Sequence, residues 1–145
     1  MTAIHITFST PPDEDNWPPY GSERVWAEEI SPHSARIDNV PFFTREATFG
    51  DLVEYRIASD GVREFVRVLV PSESSLVRVL LLERPDFDRV QARLIEMGCV
   101  VEGHAARLML AVSIPATIDI HEPMNYLVDL ADLGKLEYEE AILRL

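Results

Sequence analysis

The chain holds a single cysteine and a single lysine, no long apolar run and none of the common catalytic motifs, and each shortage removes a class of answers. With Cys99 alone, neither an intrachain disulfide nor a multi-cysteine metal site can form. Cys99 lies between Gly98 and Val100, where a strand is expected to begin, and reads as a small buried residue rather than a reactive thiol. No stretch of about 18 or more apolar residues occurs, so no membrane-spanning helix is expected. The opening MTAIHITFSTPPDED also lacks the basic start and long apolar segment of a secretory signal, which makes the cytoplasm the expected location. Patterns for dinucleotide, P-loop, zincin, nucleophile-elbow and EF-hand sites are all missing, which argues against an enzyme and against a bound cofactor.

What the chain has in excess is acid. The formal net charge is -12, and it is concentrated at the two ends. Residues 11–30 carry six acids against Arg24, and residues 115–145 carry seven against Lys135 and Arg144. The middle, residues 31–114, is nearly balanced, with twelve acids and ten arginines. Such a surface repels phosphate backbones and attracts a basic protein, so protein partners are expected and nucleic acid is not. The plain alternative is that the charge serves solubility only.

Apolar residues make up 47% of a 145-residue chain, enough to fill the core of one domain or of two small lobes. Residues 1–22 read as a short edge strand, IHITF, followed by the proline-rich acidic connection STPPDEDNWPPYGS, with Trp17 and Tyr20 pinned to the body. Residues 23–72 form a β-rich lobe. Its strands come from ERVWAEEIS, ARIDNV, LVEYRI and REFVRVLV, with Gly50-Asp51 and Ser59-Asp60-Gly61 marking tight turns. This predicts a small SH3-like barrel or a strongly bent sheet, in which Phe42, Phe43 and Phe49 are core filler.

After Pro71 the rhythm changes, and residues 73–145 read as an α/β lobe. SSLVRVLLLE has the near-continuous apolar pattern of a strand buried on both faces. A helix follows, with Asp86 as N-cap, Phe87, Val90, Leu94 and Met97 at helical spacing, and Gly98 as its stop. CVVEG and RLMLAVSIP are strands, Pro123 opens a second helix closed by Gly134, and LEYEEAILRL is expected to be helical, burying Tyr138, Ile142 and Leu145. Strand, helix, strand, strand, helix is the order of a ferredoxin-like half, so the fold class is α+β with C-terminal helices.

Few residues could carry chemistry. In DIHEP, Asp119, His121 and Glu122 could bind a divalent metal or act as an acid-base pair, but the same residues before a helix are what capping and the helix dipole favour. His5 and His33 read as surface residues, and His104 sits in a connection between strands. Strand arginines Arg63, Arg67, Arg78 and Arg107 alternate with Glu54, Glu64, Glu83 and Glu102, the pattern of a salt-bridged solvent face rather than an RNA-reading sheet.

Taken with the order of elements, the segments VWAEEI, ARIDNVPFF, FGDLVE and DLADLGKLEYEEA resemble a bacterial domain-of-unknown-function family, number 4265, from about Glu23 to the end. The resemblance implies no catalytic residues. Small acidic members of such families look like immunity proteins of bacterial toxin systems, which implies a non-enzymatic protein of immunity or antitoxin type that neutralises a cognate, basic toxin. The residues expected at its partner surface are Asp13, Glu14, Asp15, Trp17 and Tyr20, together with Asp129, Asp132, Glu137, Glu139 and Glu140 on amphipathic helices. The competing expectation is a small enzyme or ligand-sensing domain with a pocket between the lobes, near Phe42, Phe43 and DIHEP.

Overall fold

The computed structural model describes residues 2–145 and divides the chain into two compact units, one running to Ser72 and the other Glu73–Leu145. In the first unit β1 (Ala3–Ser9), β2 (Ser22–Ser31), β3 (Ser34–Ile37), β4 (Leu52–Ile57) and β5 (Arg63–Val70) close into a barrel in that order. Alternation decides what fills it. Ile4, Ile6 and Phe8 of β1, Val25 and Ala27 of β2, Ala35 and Ile37 of β3, and Val53 and Tyr55 of β4 point inward and are buried. Neighbouring strands are antiparallel except at the seam, where β1 and β5 run parallel and meet at one pair, Thr7 opposite Glu64.

Two expectations are corrected here. The IHITF segment is not an edge strand: β1 pairs with β2 from Ala3 opposite Glu28 to Ser9 opposite Ser22, and the seam with β5 closes its other side. Phe42, Phe43 and Phe49 are half-buried and stand outside the barrel core, whose interior is occupied by Phe8, Tyr55 and the aliphatic side chains of the strands.

The β3–β4 connection that carries those three rings is held from within. Gly50 adopts φ +86°, a conformation that favours glycine. Beside it the Asp51 carboxylate, fully buried, accepts hydrogen bonds from the backbone N–H of Thr48 at 3.0 Å and of Ser72 at 2.8 Å. A buried carboxylate is tolerable only with donors of this kind.

The second unit runs β6 (Ser75–Leu81), α1 (Pro85–Glu96), β7 (Val100–His104), β8 (Met109–Ile114), α2 (His121–Asp132), β9 (Leu136–Ile142). Its sheet has the order β7-β8-β6-β9 with every pair antiparallel, which makes a complete ferredoxin-like βαββαβ unit rather than half of one. Val77, Val79 and Leu81 of β6, Leu110, Val112 and Ile114 of β8, and Leu136 of β9 share a core with Phe87, Val90 and Leu94 of α1 and Leu127 of α2. Every β6 residue but Leu80 is buried, as its apolar run predicts.

Both helices begin earlier than their sequence signals suggest. Pro85 opens α1, so Asp86 lies in the first turn rather than at the cap; there its Oδ1 stands 2.6 Å from Arg89 Nη2. α2 starts at His121, with Pro123 in the first turn where its missing N–H is not needed. Among the described residues no helix is long and apolar enough to cross a membrane.

The largest correction concerns LEYEEAILRL, which is the strand β9 and not a helix. Glu, Ala and Leu favour helix locally, but Leu136 and Tyr138 alternate toward the core, and the outer edge of β6 carries backbone groups that burial would leave unsatisfied without a partner strand. The register then shifts: Val77 faces Glu140 while Leu76 faces Ile142, leaving Ala141 as the extra residue of a bulge. Leu145 is 98% exposed. Leu136→Ala is therefore expected to destabilise the protein by about 2–5 kcal/mol, and Leu145→Ala by less than about 0.5 kcal/mol, in urea unfolding.

Candidate functional site

The connection between β1 and β2 is an ordered structure despite its four prolines. Asp13 N–H donates to the Trp17 carbonyl at 2.7 Å, and Asn16 N–H to the Asp13 carbonyl at 3.0 Å. The Asp13 carboxylate accepts from the N–H of Asp15 at 2.8 Å and of Trp17 at 3.0 Å, the turn chemistry that aspartate favours. Asn16 takes the left-handed conformation that completes the turn, φ +59°. At the far end Thr10 Oγ1 donates to the Tyr20 carbonyl at 2.7 Å, tying the connection to the base of β1.

The turn presents two rings to a third. Trp17 and Tyr20 each meet Phe43 edge-on, with centroids 5.6 and 5.7 Å apart, and Phe42 lies beside Phe43 at 6.3 Å. Phe43 is the hub, and Glu23 fixes it. The Glu23 carboxylate accepts from three successive backbone N–H groups, Phe42 at 2.7 Å, Phe43 at 3.1 Å and Thr44 at 3.0 Å. Trp17 and Tyr20 remain 42% and 48% exposed although they are held on one side. Glu14 and Asp15 are exposed beside them and form no ion pair among the described residues. The result is a fixed aromatic patch with a negative rim. Neither Glu23 nor the hub role of Phe43 was foreseen from the sequence; the adjacent pair of phenylalanines was the only visible signal.

The C-terminal acids do not share the single helical face expected of them. Asp129 and Asp132 are exposed on α2, whereas Glu137, Glu139 and Glu140 belong to β9. Glu137 and Glu139 face Leu80 and Arg78 across the ladder, on the side of the sheet away from the helices, and Glu140 faces Val77 on the helix side. Glu139 is also engaged, 3.4 Å from Arg78. A strand alternates its side chains where a helix would have gathered them.

DIHEP does the work of a helix start. Asp119 Oδ1 accepts the His121 N–H at 3.0 Å, while His121 and Glu122 are exposed. Among the described residues no three or more metal-ligating side chains converge. Cys99 is 5% exposed, and burial, helped by the negative charge of Glu122, pushes its thiol up to about 11. A thiol shifted this way is little ionised at neutral pH. Of the strand arginines, Arg67 pairs with Glu54 as the salt-bridge pattern implies; Arg78 is instead buried and pairs with Glu139, and Arg63 has no ion pair among the described residues, Glu64 being taken by Arg56.

A closed barrel carrying an aromatic, acid-rimmed patch, followed by a ferredoxin-like unit, defines an α+β protein. The chain belongs to the family described as domain of unknown function (DUF4265), which it matches over residues 23–138. It is similar in fold to a hypothetical protein from Neisseria gonorrhoeae of known crystal structure, with a TM-score of 0.79 and 16% identity over 100% of this chain and 98% of that one. No curated protein matches it.

Glu23→Ala is expected to cost about 1–3 kcal/mol, because three backbone donors lose their acceptor, and in a Trp26→Phe background to shift Trp17 emission to the red. Glu23→Gln, with one accepting oxygen, should fall between. Cys99 supplies a pH test. Its ordinary value is 9.0 and its native value about 11, so the unfolded chain ionises first as pH rises. Stability is expected to be unaffected by this group below pH 9 and to fall between pH 9 and 11, by up to about 1.4 kcal/mol per unit, a decline that Cys99→Ala should remove.

Proposed function

We propose that the protein is a non-enzymatic interaction module that docks a basic protein partner through the aromatic patch of Trp17, Tyr20 and Phe43 and its acidic rim. The observation that carries this reading is the combination of exposure and fixation at Trp17 and Tyr20. Large rings held in place by Phe43 lose little conformational freedom on binding, the property that makes aromatic residues dominate interfaces. The charge of -12 supports a cationic partner, since it raises the rate of encounter with one and lowers it with nucleic acid.

The partner class that suits this chemistry is a toxin with a basic cleft, such as a nuclease or nucleotide-handling enzyme, neutralised by occlusion in the manner of an immunity protein or antitoxin. No cofactor and no membrane enters the scheme, and the setting is the cytoplasm. Asp13 contributes geometry more than free charge, since its carboxylate closes the turn. Glu14 and Asp15 supply the exposed charge.

The test is a comparative pull-down from the native host, with the wild-type chain and with Trp17→Ala/Tyr20→Ala, followed by association kinetics on the protein captured. Loss of the two rings is expected to weaken binding by on the order of 30-fold or more. Glu14→Lys/Asp15→Lys should slow association and flatten its dependence on salt while leaving the unfolding transition in place. A partner held equally well by the double alanine variant would place recognition elsewhere.

A further inference from the structure

At the seam between β1 and β5, where the barrel wall is open beside the Thr7–Glu64 pair, lies a cleft of about 560 Å³ lined from both faces of the wall. Register builds its wall: His5 faces Trp26 and Thr7 faces Arg24 across the β1–β2 ladder, all four on the side opposite the buried Ile4, Ile6, Val25 and Ala27. The His5 and Trp26 rings lie 3.8 Å apart, leaving Trp26 48% exposed. Arg63 enters from the start of β5 on the inward side of that strand, which it shares with Phe65, its guanidinium carbon 5.9 Å from the Tyr55 ring.

Two features of this cleft leave it open to an anion. Arg56, Arg67, Arg78, Arg89 and Arg93 each have a carboxylate partner, whereas Arg24 and Arg63, like Arg36 and Arg84 elsewhere, have no ion pair among the described residues, and these two line one cleft. Arg63 Nε is moreover buried with no hydrogen-bond acceptor, a donor that has lost water and gained nothing in exchange. Nearby carboxylates do not fill the gap: Glu64 is held by Arg56, and Asp60, which lines the cleft, accepts the Val62 N–H at 3.0 Å.

We infer that this cleft binds a phosphate-bearing small molecule of the nucleotide class, its phosphate between Arg24 and Arg63 and its planar base against Trp26. Guanidinium forks match phosphate oxygens and an exposed indole matches a base, while the volume lies within the ordinary range of ligand pockets. The cleft lies within the barrel unit and shares no residue with the aromatic patch, so either assignment can fail without the other.

The test is titration of the ¹⁵N-labelled protein with a nucleoside monophosphate, the matching nucleoside, and inorganic phosphate, read at the Trp26 indole N–H. The monophosphate is expected to bind saturably and at least about tenfold more tightly than either fragment, since each supplies only one half of the recognition. Arg24→Met and Arg63→Met should each weaken it by about tenfold or more. Arg63→Met should leave the melting temperature unchanged or higher, because it removes the orphaned donor and keeps the aliphatic stem. No saturable shift, equal binding by both methionine variants, or tighter binding of single-stranded RNA than of the monophosphate would overturn the assignment.

Discussion

Glu23 turns one carboxylate onto three consecutive backbone N–H groups, and the outward face of the barrel unit rests on that anchorage. A β3–β4 connection that contains Pro41 and lacks a strand of its own has donors that no ladder satisfies. An anion is the strongest acceptor that can gather several of them, and a glutamate at the start of β2 reaches them across 19 residues of sequence. With Phe42 to Thr44 held, Phe43 has a fixed position, and Trp17 and Tyr20 have something to lean on. Asp51 does the same for the far end of the connection. Acid is thus used structurally inside the barrel unit, apart from its effect on the surface.

The second unit depends on a different constraint, the need of β6 for partners on both edges. A strand buried at all but one position leaves any unpaired backbone group in a poor solvent, so β8 on one side and β9 on the other are obligatory. Recruitment of β9 turns half a ferredoxin-like motif into a whole one. It also leaves β7 and β9 as the outer strands, and β9 carries three glutamates, a composition that discourages further pairing.

The charge of the chain has two faces in consequence. Most of it is exposed acid, some of it engaged with arginines across ladders or along helices. Against that background the cleft of His5, Trp26, Arg24 and Arg63 gathers two arginines that have no ion pair among the described residues. Its two arginines lie 39 residues apart in sequence and are brought to one cleft only because the barrel closes.

Local signals were enough for most of the elements. Alternation in LVEYRI and REFVRVLV, the turn at Ser59-Asp60-Gly61, the apolar run at Leu76 to Leu81 and the helical spacing from Phe87 to Leu94 are properties of neighbouring residues, and each yields its strand, turn or helix. The family resemblance, carried by ARIDNVPFF and FGDLVE, is local in the same sense. The conformation of LEYEEAILRL was not, because its helix propensity is outweighed by an open edge of β6 some 60 residues earlier. Nor was the placement of Phe42 and Phe43 outside the barrel core, or the grouping of Trp17 and Tyr20 on Phe43. Periodicity reports which side of an element is apolar; what meets the other side, and which distant donor or edge needs a partner, is decided only when the chain closes on itself.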